Sequence, residues 1–100
     1  MTTKKSKNER IAEYVEQLEM LFNIEFIYGD DLYAIEATYT KTGNHTYRSD
    51  GRGFEIWKFK DRAESGGFVI AFTEKAVDIL RVACFDGKTF VEIMDKIEST

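Results

Sequence analysis

A stripe of apolar side chains at helical spacing runs through the first quarter of the chain. Ile11, Tyr14, Val15, Leu18, Leu21 and Phe22 recur at intervals of three and four residues, which predicts an amphipathic helix over residues 7–22. Ser6 stands where an N-cap belongs, and Glu9 three residues later completes an S-x-x-E capping box. After Asn23 the period changes to two. Ile24, Phe26 and Tyr28 alternate with Glu25 and Ile27, and Tyr33, Ile35, Ala37 and Tyr39 alternate with Glu36 and Thr38. These two runs around Gly29-Asp30-Asp31 predict an antiparallel hairpin.

Lys41-Thr42-Gly43-Asn44 and Ser49-Asp50-Gly51-Arg52-Gly53 read as two further loops around a short strand near His45 to Arg48. A strand over Phe54 to Lys60 follows, with Phe54, Ile56, Lys58 and Lys60 on one side and Glu55, Trp57 and Phe59 on the other. Glu64-Ser65-Gly66-Gly67 turns the chain into Phe68-Val69-Ile70-Ala71-Phe72. That run is apolar on both sides, as expected of a central strand or one covered on both faces. Thr73 or a neighbour is expected to cap a second helix, with Ala76, Val77, Leu80 and Ala83 or Cys84 on one face and Asp86-Gly87 as its stop. Thr89-Phe90-Val91-Glu92 is a second capping box, opening a last helix that carries Ile93, Met94 and Ile97. The order predicts an α+β fold. It has an N-terminal helix, an antiparallel four- to five-stranded meander and two C-terminal helices packed on the sheet.

Composition supports one domain over residues 1–100, with residues 1–5 expected to be disordered. The chain is 43% hydrophobic with 14 aromatic residues, enough for a packed core. A single cysteine excludes an intramolecular disulfide and a Cys-rich zinc site, and a single histidine excludes His-dominated metal sites. No apolar run approaches the roughly 18 residues that would span a bilayer. These features predict a soluble cytoplasmic protein without a metal, a cofactor or a membrane partner.

The net charge of −4 conceals a segregation. Residues 11–40 hold seven acids and no lysine or arginine, whereas residues 41–62 hold six basic groups and three acids. Two candidate surfaces follow. Glu9, Glu13, Glu16 and Glu19 form an acidic row on the first helix, opposite its apolar stripe. The row reads either as a solvated face or as a docking surface for a basic partner. Arg48, Arg52, Trp57, Lys58, Lys60 and Arg62 interleave cations with aromatic character, a mixture that can bind single-stranded nucleic acid. Strand alternation offers the other reading, with Trp57 and Phe59 in the core and the lysines guarding an edge.

Catalytic chemistry finds no constellation. His45 falls at a hairpin tip without a nucleophile to serve. Cys84 falls at the end of a predicted helix, where a thiolate is not stabilised, and reads as a small core residue. Ser49–Gly53 lacks the lysine-hydroxyl pair of a phosphate loop.

Phe72–Leu80 followed by Phe85-Asp86-Gly87-Lys88-Thr89-Phe90-Val91-Glu92-Ile93 resembles the tail of small uncharacterised proteins of Gram-positive bacteria, their phages and mobile elements. In size and acidity the chain is similar to anti-CRISPR and other anti-defence inhibitors. The segregated charge and the lack of a catalytic constellation predict a non-enzymatic protein–protein interaction module whose acidic row, Glu9, Glu13, Glu16 and Glu19, engages a basic groove. The likeness in size and acidity implies an inhibitor that occludes a basic surface of a host nucleic-acid enzyme. Nucleic-acid binding through the basic-aromatic middle segment, or a homo-oligomeric role, stands beside it as the alternative.

Overall fold

Ser6 caps α1 (Lys7–Glu19), its hydroxyl accepting from the Glu9 amide at 3.2 Å. The computed structural model describes residues 5–62 and 66–99. The expected disorder of residues 1–5 therefore falls, Lys5 apart, outside the described residues. α1 stops before the apolar stripe does. Leu21 takes a left-handed φ of 66°, and the amides of Leu21 and Phe22 reach back to the carbonyls of Leu18 and Gln17, each at 3.0 Å. These are the two reversed bonds of a Schellman stop. Leu18 is fully buried, while Met20, Leu21 and Phe22 turn out to solvent.

Four strands make an antiparallel sheet: β1 (Ile24–Tyr28), β2 (Asp31–Lys41), β3 (Tyr47–Phe59) and β4 (Phe68–Thr73), in the order β4-β3-β2-β1. The two-residue turn Gly29-Asp30 sets Tyr28 opposite Asp31 and so fixes the register that pairs Phe26 with Tyr33 and Ile24 with Ile35. Ile35 in turn faces Ile56 on β3, and Ile56 faces Ala71 on β4. Glu98–Ser99 runs antiparallel beside Phe26 and Ile27.

Side chains on one face of this sheet meet the helices. Phe26 lies against Tyr33 at a ring distance of 5.5 Å, and Phe85 and Phe90 close over it at 5.7 and 5.2 Å. Tyr14 of α1 meets Phe90 edge-on at 5.0 Å. Leu18, Ile35, Ile56, Ile79, Leu80, Phe85, Phe90 and Ile93 are all removed from water. Each such aliphatic or aromatic side chain contributes about 1.5–3 kcal/mol.

Three expectations need correction. The Ser49–Gly53 stretch is no loop between strands, for β3 runs through it from Tyr47 to Phe59. The register slips between Ala37–Phe54 and Tyr39–Ser49, so that Thr38 alone faces four residues of β3. Asp50 holds this bulge. Its carboxylate accepts from the hydroxyls of Thr38 and Thr40 and from the amide and Nε of Arg52. Donation by Thr38 and Arg52 holds the carboxyl well below the usual carboxylate range.

The run Phe68–Phe72, expected to be central or doubly covered, is the edge strand β4. Phe68, Val69 and Phe72 are 43%, 43% and 49% exposed. Uniform apolarity here does not mean burial on both sides, because nothing pairs with or covers the outer edge among the described residues.

The C-terminal helices are short. They are α2 (Ala76–Ile79) and α3 (Phe90–Ile93). The helix expected to reach Cys84 ends at Ile79. Phe85 and Lys88 exchange backbone hydrogen bonds at 3.0 Å across Asp86-Gly87, and this small turn drives Phe85 into the core against Phe26 and Tyr33. The Val91 amide takes up the Leu80 carbonyl at 3.3 Å. The Thr89/Glu92 capping box is present in both directions. No helix of the described residues is long and apolar enough to cross a membrane.

Candidate functional site

The acidic row of α1 is exposed along its length at Glu9, Glu13, Glu16 and Glu19. It is not bare charge. Glu13 pairs with Lys5, Glu9 accepts from the Ser6 hydroxyl at 3.2 Å, and Glu19 borders a surface cleft that it shares with Lys75 and Phe54.

The basic-aromatic residues of the middle segment do not assemble. Arg48 and Arg52 lie toward the outer end of the β2–β3 ribbon, and Arg52 is paired with Asp50 at 2.8 Å. Lys60 and Arg62 lie beyond the other end of β3, in a 3-10 turn, with Arg62 4.0 Å from Glu98. Lys58 turns toward the helix-bearing face, 3.5 Å from Asp31 and 5.8 Å from the centre of the Tyr33 ring. Trp57, its neighbour in sequence, therefore points to the opposite face. The expected alternation along β3 holds, and it is what separates the tryptophan from the lysines. β3 is an inner strand, so Lys58 guards no edge.

His45 is exposed in the turn between β2 and β3. Cys84 is half-buried in the irregular segment after α2, and burial pushes its thiol up to about 11.

The side chains that do assemble lie on the face of the sheet that carries no helix among the described residues. The strand register places them in rows. Val69, Trp57, Ala34 and Glu25 form one row across all four strands, and Phe59, Leu32 and Ile27 form the next. A third row brings Phe72, Glu55 and Glu36 together. The result is an apolar band with three glutamates along one margin. Trp57 and Phe59 lie nearly parallel, 6.3 Å between ring centres and 21° between planes. Gly67 makes room for them, since a Cβ there would come within 2.2 Å of the Phe59 ring. A cleft of about 460 Å³ runs over this band, lined by Glu25, Leu32, Ala34, Glu36, Trp57 and Phe59.

Glu36 and Glu55 are directly paired across β2 and β3. Like charges so placed repel. Burial first, then the charges of Glu55 and Glu25, push the Glu36 carboxyl up from its ordinary value. Glu55 does something more specific, accepting the Trp57 indole N–H at 2.9 Å and so setting the angle of the ring. None of the three makes an ion pair with another described residue. Among the described residues no three His, Cys, Asp or Glu side chains converge as metal ligands would.

Leu32, Ala34, Glu25, Glu36 and Glu55 escape a reading that sorts residues by charge along the chain. The signal that locates them is the second half of each alternation, read across the hairpin register and set against the small amount of helix available to cover it. In comparisons with protein-family models, curated proteins and solved structures, no match to this chain was found.

Proposed function

We propose that this chain is a non-enzymatic protein-binding module that docks on a basic surface of a larger protein through the helix-free face of its sheet. The observation that carries the reading is the pairing of an apolar band with unpaired acid. Trp57, Phe59, Leu32 and Ala34 offer a surface to pack against, and Glu25, Glu36 and Glu55 offer carboxylates that form no ion pair with a described residue. Apolar area supplies affinity, and the charge selects the partner and speeds encounter. A groove built to hold nucleic acid is lined with lysine and arginine. Nucleic-acid enzymes are thus the partner class this face suits, and seating the module there would inhibit the enzyme by occlusion. The glutamates around Trp57 repel phosphate, which favours a protein partner over nucleic acid at this face.

The test compares capture from a lysate by the wild type, by a Trp57→Ser/Phe59→Ser variant, and by a Glu9→Lys/Glu13→Lys/Glu16→Lys variant. The reading requires a partner retained by the wild type and by the α1 variant and lost by the sheet-face variant. Loss with the α1 variant alone would move binding to the acidic helix and overturn it.

A further inference from the structure

Resting on that docking reading, we propose that the cleft on the helix-free face receives an arginine side chain presented by an apolar segment of the partner. The floor and the margin of the cleft call for different chemistry. Its floor is apolar, formed by Ala34 at 8% exposure and Leu32, and its wall is aromatic, with the nearly parallel rings of Trp57 and Phe59. Its margin is anionic, with Glu25 and Glu36 lining the cleft and Glu55 held on the Trp57 indole N–H at 2.9 Å. Apolar residues alone would leave those carboxylates desolvated without a counter-charge, which is unfavourable. A compact, strongly hydrated ammonium would gain from the carboxylates and little from the rings. The guanidinium is planar and weakly hydrated, stacks on aromatic faces and donates in a fork that matches a carboxylate. Among the side chains that are cationic at neutral pH it answers both parts of the cleft best.

The roles divide accordingly. Trp57 and Phe59 supply the stacking surface. Glu36, whose carboxyl is already pushed up by burial and by its acidic neighbours, supplies the charge that a bound cation relieves, and Glu25 stands across the apolar row from Trp57. Glu55 is a positioning residue, acting through the indole that it orients.

The single tryptophan of the chain gives the experiment a reporter inside the site. The whole chain, labelled with ¹⁵N, is titrated with the peptide acetyl-Ala-Leu-Arg-Leu-Ala-amide, and then with the same peptide carrying lysine or citrulline in place of arginine. The expected result is a saturable shift of the Trp57 indole N–H resonance with the arginine peptide. Binding should weaken at least tenfold with citrulline, which keeps the shape and loses the charge, and severalfold with lysine. The Glu25→Gln/Glu36→Gln variant, its fold checked by its own spectrum, should weaken arginine binding five- to tenfold. Equal binding of arginine and citrulline peptides, indifference to the glutamine pair, or shifts confined to α1 would each overturn the proposal. Failure of the peptide while partner capture still depends on Trp57 and Phe59 removes the arginine site and leaves the docking reading standing. Binding of the peptide as expected, with partner capture indifferent to this face, does the reverse.

Discussion

Glu36 on β2 and Glu55 on β3 stand directly opposite each other on the sheet face that carries no helix. Two like charges in that relation oppose strand pairing, and burial together with the charges of Glu55 and Glu25 pushes the Glu36 carboxyl up. Its folded-state carboxyl titrates above its unfolded value. The folded chain therefore binds the proton more tightly, and stability falls as pH rises through that interval. Glu36→Gln should raise stability at pH 7 by about 0.5–1 kcal/mol. The gain should fade as pH falls below the ordinary glutamate value of about 4.3, where the wild-type carboxyl becomes protonated in both states. Urea unfolding of both proteins at several pH values measures it, and equal midpoints at pH 7 would contradict it.

Gly67→Ala tests how the aromatic wall is held. The added methyl would come within 2.2 Å of the Phe59 ring, and the ring, being half-buried, can swing outward to relieve it. The expected loss of stability is about 1–2 kcal/mol. Displacing Phe59 from beside Trp57 should also change the indole environment, read as a shift in tryptophan emission. An unchanged spectrum would mean that the ring has another resting place.

The helix and its cap, the first hairpin and the helix-side core were legible because each rests on local chemistry or a strict period. Ser6, the alternation of Ile24, Phe26 and Tyr28, and the Thr89/Glu92 box needed no tertiary information. The fate of Phe68–Phe72 did, since an apolar run looks alike at an edge and at the centre of a sheet. So did the bulge. Asp50-Gly51-Arg52-Gly53 has the composition of a loop, and only the convergence of Thr38, Thr40 and Arg52 on one carboxylate keeps it inside a strand. The candidate site stayed hidden for a related reason. Its residues come from three strands, β1, β2 and β3, and become neighbours only through register.

Asp50 should make the bulge acid-labile. Its folded-state carboxyl titrates below its unfolded value, so its contribution to stability is present above the unfolded pKa of about 3.9. That contribution is lost as pH falls through the lower folded value. Asp50→Asn should be less stable than the wild type at pH 7, and the difference should shrink below about pH 4. Hydrogen exchange at the Arg52 amide, which donates to Asp50 at 3.0 Å, should quicken in the variant. An Arg52 amide protected equally in both proteins would remove Asp50 from this role.

Cys84 should be slow to react. Burial pushes its thiol up to about 11, so little thiolate is present at pH 8. Labelling by a disulfide reagent at that pH should be slower in the native protein than in guanidinium by on the order of a hundredfold. Comparable rates in the two conditions would show that the segment after α2 opens readily.

Leu21, just past the Met20 cap of α1, occupies the position where a glycine belongs. Its φ of 66° places it in the left-handed region at the Schellman stop, where a Cβ crowds the neighbouring carbonyl and costs about 1–2 kcal/mol. The side chain returns little for this, being 47% exposed. Leu21→Gly should therefore stabilise the fold by about 1 kcal/mol, less than the full strain because glycine also loosens the unfolded chain. In a domain of this size that corresponds to a rise in Tm of about 4–8 °C. Leu21→Ala keeps the Cβ and should give no such rise, so the pair separates backbone strain from loss of an exposed apolar side chain. If alanine stabilised as much as glycine, the strain account would fail and the exposed leucine itself would be the burden.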